Sequence, residues 1–485
     1  MRFPKYPLLI FIAICNSTIL LAQGVGIGTI APDTSAVLDV SSTTQGFLPP
    51  RMYEYQRDAI ITPAAGLIVY CTDCGTGGEI QFFNGSSWNN MVGGATTQNT
   101  IDIQSGADLA NFQAGDKGGY SVSISSNGTR LVAGVPFRGL SDRGNVFSYD
   151  LVGSDWVYMG SMPGAGEGQG DNFGWSVSLS DDGNRVAVGA PLNNNPNGID
   201  GGNVRVYDWD GSAWVKVGLD IDGEAGGKLG YSVSISGDGT RIATSVPLAG
   251  NSNRGIVSVL EWNGNAWAVM GTYISGEDQN DNFGTSVSLS QDGSRVAIGT
   301  HLNDGGGTNA GHTQIYDWNG SAWVQVGLDI DGEAANDLSG FSVSLSADGS
   351  RIAIGAKNND GSGSNAGHVR VYDWNGTAWI QAGLDIDGEA AGDQSGYSVS
   401  LSDDGDRLAI GANTNDGNGS NSGSVRIYQW NGIAWIQSEM DIDGAFSNDQ
   451  SGSSVSLSGL GNRLAIGAPL NDTNGANAGH VKIYE

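Results

Sequence analysis

Short segments in which apolar residues alternate with small or polar ones recur along most of the chain. Two examples are "SVSLS" at residues 342–346 and "RIAIGA" at residues 351–356. Alternation with a period of two predicts β-strands. The pattern repeats every 54 to 56 residues, and its seven copies begin at Gly119, Gly174, Gly230, Gly284, Gly340, Gly396 and Gly452. A repeat of this length predicts one supersecondary unit packed against its own copies.

Turn signals place four strands in each copy. The tripeptide "ADG" separates the first two strands, and "NG" joins the third strand, "HVRVYDW", to the fourth, "AWIQAGLDI". Both turns are typical of β-hairpins. Each copy is therefore predicted to be a four-stranded antiparallel meander.

The end of the seventh copy predicts how the copies are arranged. A linear stack of meanders would leave open edges and exposed faces, whereas radial packing into a β-propeller removes most of them. The seventh copy supplies three strands and ends in "VKIYE", while residues 101–120 align without a gap on residues 322–341. The predicted fold is all-β: a seven-bladed β-propeller of four-stranded antiparallel blades, closed by residues near 101–109 as the outer strand of the last blade.

The N-terminal residues differ from the repeats. Arg2 and Lys5 precede an apolar stretch that ends at Ala22, a small residue where a peptidase could cut, and this pattern predicts a signal peptide over residues 1–22. We expect a small N-terminal module at 23–96 and the propeller at 97–485. The protein is accordingly expected to be secreted, either extracellular or at a bacterial cell surface, with no membrane insertion after cleavage.

Composition and charge narrow the class of partner. Gly accounts for 78 residues and Pro for 12, which fits an all-β chain with many turns. The 51 acidic and 22 basic residues give a formal net charge of -29, so nucleic acid and anionic membranes would be repelled. Neutral polymers, cations and basic protein surfaces remain as partners.

Cys71 and Cys74 form a CxxC pair in "CTDC". Such a pair can be redox-active, half of a zinc site, a short disulfide, or two inert thiols. A second pair of zinc ligands is not found nearby, and the surrounding residues predict strand and turn instead of a helix. In an exported protein, the disulfide or the inert thiols are the favoured interpretations.

Several residue types recur at fixed places in the repeats. Paired tryptophans flank the "NG" turn, and we expect them to pack between strands and blades instead of stacking on sugars, because each buries roughly 150–250 Å². An arginine follows every first hairpin, and we expect it to pair with carboxylates of its own or a neighbouring blade. His312, His368 and His480 occupy equivalent positions, which hold Asn145, Asn203, Ile256 and Ser424 in other copies, and we expect them to be exposed strand-start residues.

The loops carry the strongest functional signal. Because strands alternate in direction, the loops between second and third strands and the linkers between blades leave at one end of the blades; we call this end the loop face. Long polar loops on a rigid scaffold are where binding usually resides, although solvated turns are the alternative. The candidate binding residues are Asp222, Glu224, Asp304, Asp331, Glu333, Asp360, Asp387, Glu389, Asp416, Asp443 and Asp472.

Calcium is the candidate metal for the loop face. Asp-x-Asp-Gly, as at residues 329–332, offers closely spaced hard oxygen ligands of the kind calcium prefers. The full twelve-residue loop with a terminal Glu is absent from the sequence, so whether the loop face binds calcium is left open.

The copies resemble the FG-GAP repeat of integrin α-subunit propellers and related bacterial surface proteins. The matching stretch is "NFGWSVSLSDDGNRVAVGAP", with Phe173 and Gly174 as the FG and Gly189, Ala190 and Pro191 as the GAP. The resemblance covers residues from about 100 to 485. In the integrin family calcium sits in an extended loop between the first two strands, where this chain has only a tight turn, so those sites do not carry over. The stretch "SADGSRIAI" is also similar to the TolB-type propeller repeat.

The region before the repeats, "GVGIGTIAPDTSAVLDVSSTTQGFLPPRMYEYQRDAI", resembles an N-terminal module of exported bacterial tail-fibre-like and adhesin-like proteins. The expected function is therefore binding or adhesion: a secreted or surface-held propeller engages an extracellular protein or a glycan through the acidic loop face, without catalysis. Two alternatives are a passive spacer and a propeller hydrolase or lyase. The residues that break the repeat are mostly Ser, Asn or Gly, and no cluster of unmatched Glu, Tyr and His stands out in the sequence, which disfavours an enzyme.

Overall fold

The computed structural model describes residues 25–27, 38–40, 49–53, 56–57, 60, 67–72, 74, 79–83, 88–90, 101, 103–163, 168–249 and 253–485. The chain divides into two compact units, Met1–Thr96 and Thr97–Glu485. The predicted signal peptide lies outside the described residues. Within the described residues, no helix has the length and apolar character needed to cross a membrane.

The described part of the first unit is built from six short strands: β1 Val25–Ile27, β2 Leu38–Val40, β3 Arg51–Met52, β4 Ile68–Cys71, β5 Glu79–Phe83 and β6 Trp88–Asn90. A parallel pair is followed by a sheet in the order β3-β4-β5-β6, in which β3 and β4 are parallel and the other neighbours antiparallel. A disulfide joins Cys71, at the end of β4, to Cys74, and both cysteines are buried.

The second unit consists of repeated antiparallel sheets, which we number in chain order. Sheets 1 to 3 contain β7 Val122–Ile124, β8 Arg130–Val135, β9 Asn145–Val152 and β10 Asp155–Ser161; β11 Ser176–Leu179, β12 Arg185–Ala190, β13 Asn203–Trp209, β14 Trp214–Lys216 and β15 Ile221–Asp222; β16 Val233–Ile235, β17 Arg241–Val246, β18 Ile256–Trp262, β19 Trp267–Val269 and β20 Ile274–Ser275. A π-helix, Arg138–Asp142, lies between β8 and β9.

Sheets 4 to 7 follow the same plan. They contain β21 Ser286–Leu289, β22 Arg295–Thr300, β23 His312–Trp318, β24 Trp323–Gln325 and β25 Ile330–Asp331; β26 Ser339–Leu345, β27 Arg351–Ala356, β28 His368–Trp374, β29 Trp379–Gln381 and β30 Ile386–Asp387; β31 Ser395–Leu401, β32 Arg407–Ala412, β33 Ser424–Trp430, β34 Trp435–Gln437 and β35 Ile442–Asp443; β36 Ser454–Leu457, β37 Leu464–Ala468 and β38 His480–Tyr484. The fold is therefore all-β, with repeated four-stranded antiparallel sheets as in propeller-like folds.

The predicted fourth strand is interrupted in sheets 2 to 6, which corrects the prediction of one continuous strand. In sheet 5, β29 and β30 both pair with β28, and residues 382–385 separate the two short strands. Gly383 has φ +83°, and a Cβ atom there would lie 3.0 Å from the ring of Trp430 in sheet 6. The outer strand therefore bends at a glycine to make room for the tryptophan pair of the next sheet.

Neighbouring sheets are joined by hydrogen bonds between their first strands. The N–H of Leu401 in β31 donates to Oγ of Ser344 in β26 (3.0 Å), and equivalent bonds recur along the chain. The N–H of Ile124 in β7 donates to Oγ of Ser456 in β36 (3.1 Å), so the first sheet makes the same contact with the seventh.

Residues 103–109 lie along β38, in the place of a fourth strand of sheet 7. Ile103 and Glu485 exchange two backbone hydrogen bonds, and the N–H of Ser105 donates to the carbonyl of Ile483 (2.7 Å). Leu109 and Val481 also exchange two backbone hydrogen bonds. The pairing consists of separate antiparallel bridges and not of one continuous strand.

The tryptophan pairs pack as predicted. Their ring centroids are 5.3 to 5.6 Å apart in all five pairs. The second tryptophan of a pair also binds the preceding sheet: Nε1–H of Trp435 donates to the carbonyl of Ala382 (3.1 Å), and Trp435 is 8% exposed. The expectation that these side chains pack between strands and sheets is confirmed.

The repeated arginines make the predicted ion pairs. Nε of Arg295 lies 2.6 Å from Oδ1 of Asp317 in the same sheet, and its Nη1 donates to the carbonyl of Gly349 in the next sheet (2.7 Å). Arg463 of sheet 7 pairs with Glu485 and donates to the carbonyl of Gly128 in sheet 1 (3.0 Å). These guanidinium groups therefore join each sheet to the next.

Candidate functional site

The loop face is held together by contacts between a loop and the following linker. Gly367, which ends the loop between β27 and β28, forms a parallel bridge with Ser395, where the linker reaches β31. The same bridge joins Gly311 to Ser339 and Gly423 to Ser451. The second-to-third strand loops and the linkers therefore lie side by side, as the strand directions predict.

Buried Asn–Asp pairs fix the loops to the preceding linkers. Nδ2–H of Asn359 donates to Oδ2 of Asp337 (2.9 Å), which also accepts the backbone N–H of Ala334 (3.0 Å). The equivalent pairs are Asn193–Asp171, Asn303–Asp281, Asn415–Asp393 and Asn471–Asp449. These carboxylates hold the scaffold, so part of the acidic character of the loop face is structural.

Four predicted binding residues stabilise their own loops. Each accepts the backbone N–H of the asparagine five residues later, at 2.7 or 2.8 Å, and each is exposed. These residues are Asp304, Asp360, Asp416 and Asp472. Because a carboxylate accepts more than one hydrogen bond, such a side chain can hold its loop and still face solvent.

Four other candidates are the last residues of the short outer strands, where each pairs with the first residue of the third strand. The pairs are Asp222 with Asn203, Asp331 with His312, Asp387 with His368, and Asp443 with Ser424. Partial burial, and then the charge of Asp385, raise the pKa of Asp387. These carboxylates sit one per sheet along the edge of the loop face.

Glu224, Glu333 and Glu389 lie in the linkers and are exposed. Oε1 of Glu333 is 3.5 Å from Nη1 of Arg370 in sheet 5. Partial burial, and then a hydrogen bond with the carboxyl group of Asp441, raise the pKa of Glu389. The predicted candidates are thus distributed over successive sheets, and within the described residues they do not gather into one acidic pocket.

The three repeated histidines are buried, and the prediction that they are exposed is wrong. His312, His368 and His480 are 2%, 1% and 3% exposed, because the outer strand covers the start of the third strand. Nδ1 of His312 lies 3.7 Å from Oδ2 of Asp329, and Nδ1 of His480 lies 3.7 Å from Oδ2 of Asp108. Burial lowers the pKa of all three.

Five aromatic side chains at the starts of first strands, next to the loops, form ring contacts in two groups, one of three residues and one of two. Each directly follows the glycine that begins a repeat, and we call them the inner aromatic cluster: Tyr120, Trp175, Tyr231, Phe341 and Tyr397. Neighbouring ring centroids are 4.7 Å apart for Tyr120 and Trp175, 5.8 Å for Trp175 and Tyr231, and 5.1 Å for Phe341 and Tyr397. Burial, and then the nearby Tyr397 and Tyr231, raise the pKa of Tyr120.

Basic groups lie against this cluster. Nζ of Lys357 is 3.7 Å from the centroid of the Phe341 ring, and burial lowers the pKa of this lysine to about 8. His301 packs edge-to-face on Phe341, and its Nδ1 is 2.6 Å from Oγ1 of Thr285. Burial, followed by the charge of Lys357, lowers the pKa of His301 to about 4.

The inner aromatic cluster is a feature that sequence reasoning missed. Its members occupy one repeat position at which two copies have Thr285 and Ser453 instead, and His301 and Lys357 share another position. The sequence signal for this cluster is the aromatic residue that follows the first glycine of a repeat. It was missed because residues 54 to 56 apart converge only when the first strands pack against one another.

Comparison with known families supports this description. A phage tail-like trimerisation region matches residues 26–104, and the FG-GAP repeat matches residues 165–207, 275–316 and 382–428. No curated protein gives a significant match. The chain therefore carries FG-GAP repeats behind a phage tail-like trimerisation region, and both resemblances seen in its residues are confirmed.

Proposed function

We propose that this protein is a secreted or cell-surface adhesion module that binds an extracellular protein or a glycan through the loop face, without catalysing a reaction. FG-GAP repeats and phage tail-like regions are typical of surface or adhesion-type modules. The net charge of -29 favours neutral or basic partners over nucleic acid.

The observation that carries this proposal is the inner aromatic cluster beside the acidic loops. Aromatic rings with half-buried faces offer a large contact area at a low cost in conformational entropy, and they attract cationic groups. Exposed Asp and Glu on the surrounding loops add hydrogen-bond acceptors. Together they give a surface that suits the ring of a sugar or a basic side chain of a protein.

We further propose that the seven sheets form a closed seven-bladed ring. The support comes from contacts between sheets 7 and 1 that repeat those between other neighbours, namely the bond between Ile124 and Ser456 and the bond between Arg463 and Gly128. The pairing of residues 103–109 with β38 supplies the outer edge of sheet 7. A ring would hold the loop face rigid, which favours binding by a preformed surface.

The N-terminal match supports display of several copies. A trimerisation region before the repeats would present three loop faces together, and multivalent binding can exceed the affinity of one site by about 10²–10⁴-fold when all sites reach their ligands. Light scattering on the full chain tests this point. The expected mass is close to three times that of one chain, which is 50.1 kDa before the predicted signal peptide is removed.

Binding of the full chain to an array of glycans and purified extracellular proteins tests the proposed function. We expect at least one saturable ligand whose affinity falls about tenfold or more in Trp175→Ala and in the double variant Asp331→Asn with Asp387→Asn. The control is Asp210→Asn, which changes an exposed carboxylate in a hairpin at the opposite end of sheet 2. Absence of any ligand, or equal losses in the control, would overturn the proposal and favour a passive spacer.

A further inference from the structure

Three side chains of metal-binding type converge between sheets 4 and 5. Glu333 comes from the linker, His368 begins β28, and Asp385 lies between the two short outer strands β29 and β30. One ligand atom from each lies within 4.8 Å of the other two. Nitrogen and carboxylate oxygen bind zinc at roughly 2.0–2.2 Å, so the side chains must turn inward to coordinate one ion.

The imidazole of His368 is buried without a strong partner. The side chain is 2% exposed, and Nδ1 is 4.0 Å from Oδ2 of Asp385, beyond hydrogen-bond distance. An imidazole nitrogen is an ordinary zinc ligand in proteins, and this one lies beside two carboxylates.

The carboxylates are oriented and reachable from solvent. Nε2–H of Gln381 donates to Oδ1 of Asp385 (2.6 Å), which leaves Oδ2 directed at His368. An outer-shell hydrogen bond of this kind is typical of metal-ligating carboxylates. The side chains of Glu333 and Asp385 are 45% and 31% exposed, so an ion has a path to the buried nitrogen.

Arg370 is the cation that now faces Glu333. The two groups are 3.5 Å apart, a long contact for an ion pair, and Nη2–H of Arg370 donates to the backbone carbonyl of Asp331 (2.6 Å). The guanidinium group is thus anchored elsewhere and need not move when Glu333 turns. Two carboxylates against one guanidinium leave a local charge of -1 to attract a divalent ion.

Equivalent positions in other sheets lack this arrangement. In sheet 4, Nε2–H of Gln314 donates to both Glu277 (3.2 Å) and Asp329 (3.1 Å), which occupies the two carboxylates beside His312. In sheet 7, His480 lies near Asp108, but Ala445 stands at the position of Glu333. Sheet 5 therefore combines the three ligands without a side-chain donor that bridges its carboxylates.

We propose that Glu333, His368 and Asp385 form a binding site for a divalent transition metal ion such as zinc, which joins the linker after sheet 4 to sheet 5. Three protein ligands leave a coordination position for water. By linking three chain segments in the folded state, the ion stabilises this part of the loop face. The site is separate from the inner aromatic cluster.

Zinc titration of the chelator-treated full chain tests the site. Isothermal titration calorimetry is expected to show one specific zinc ion per chain, and saturating zinc is expected to raise the melting temperature. His368→Gln and Glu333→Gln should each weaken binding by at least about 10–100-fold, the loss seen even for outer-shell partners. Because Glu333 is exposed, Glu333→Gln should fold normally and keeps the test valid if His368→Gln does not fold.

The matched control is His480→Gln, which removes an equally buried histidine that lacks the third ligand. This variant should bind zinc like the unchanged chain. If zinc binding is equal in Glu333→Gln and the unchanged chain, or if His480→Gln weakens it as much as Glu333→Gln does, the proposed site is wrong.

Discussion

Gly355 in β27 lies so close to Gly396 in β31 that a Cβ atom on Gly355 would be 2.2 Å from the carbonyl oxygen of Gly396. The two glycines come from neighbouring sheets and occupy the GAP and FG positions of the repeat. The same contact brings Gly299 against Gly340, Gly411 against Gly452, and Gly467 of sheet 7 against Gly119 before sheet 1. The FG-GAP signature thus marks where the backbones of two sheets touch.

Gly355→Ala is therefore expected to destabilise the fold by about 2–3 kcal/mol, since the methyl group must displace backbone atoms. Urea unfolding measures the change. Sheet 3 has Ser245 at this position and already accommodates a Cβ atom there, so Ser245→Ala serves as a control. This change removes the hydrogen bond from the N–H of Ser232 to Oγ of Ser245, which is worth about 1 kcal/mol. A smaller loss in Gly355→Ala than in the control would contradict the packing argument.

Trp379→Phe removes the indole N–H that donates to the carbonyl of Val326 in the preceding sheet (3.0 Å). We expect the free energy of unfolding to fall by about 1–2 kcal/mol, because a partly buried carbonyl loses its donor and the smaller ring makes fewer apolar contacts. The paired Trp374 makes no such bond within the described residues. Trp374→Phe should therefore cost less, and equal costs would show that the indole bond between sheets has little weight.

Ring closure can be tested with a disulfide between Gln104→Cys and Tyr484→Cys. These residues form an antiparallel bridge that is not hydrogen-bonded, for which Cα atoms are about 4.5 Å apart, within the range for disulfides. Oxidation should yield an intramolecular bond and raise the melting temperature. Combining Gln104→Cys with Tyr428→Cys, the equivalent residue in sheet 6, should not. Failure of the first pair to cross-link in a folded protein would argue against closure.

Arg351→Lys is expected to cost about 1–2 kcal/mol although it keeps the charge. The guanidinium group binds both oxygens of Asp373 at 2.6 and 3.0 Å and also the carbonyl of Gly405 in the next sheet (3.0 Å), a forked geometry that an ammonium group cannot reproduce. Thermal unfolding measures the loss. Arg241→Lys, where the partner Glu261 is 47% exposed, should have a smaller effect.

Stability is expected to fall as the pH drops from about 6.5 to about 4, partly through His301. Its pKa in the folded protein is lowered to about 4 by burial and then by Lys357. The unfolded chain therefore binds more protons between these two values, and protonation favours unfolding. Melting temperatures measured across this window should change less in His301→Gln. An identical pH dependence in the two proteins would show that His301 does not contribute.

Local structure and side-chain roles could be predicted from sequence wherever they depend on one residue and its near neighbours. The hairpins, the strand alternation and the structural roles of Trp379 and Arg351 follow from turn residues, side-chain size and charge. The burial of His368 could not be predicted in this way. That residue is covered by an outer strand, which bends at Gly383 to accommodate Trp430 of the next sheet. Contacts of this kind depend on the geometry between sheets.

The sequence by itself determined the repeat, its strands, the turns between them and the FG-GAP resemblance, because alternation and turn preference act over a few residues. Only the tertiary structure decided which side chains meet across sheets. Tyr120 and Trp175 are 55 positions apart, yet their rings come within 4.7 Å because the first strands of their sheets are neighbours. Side-chain convergence is a property of packing, and it is packing that brought the inner aromatic cluster and the Glu333–His368–Asp385 group together.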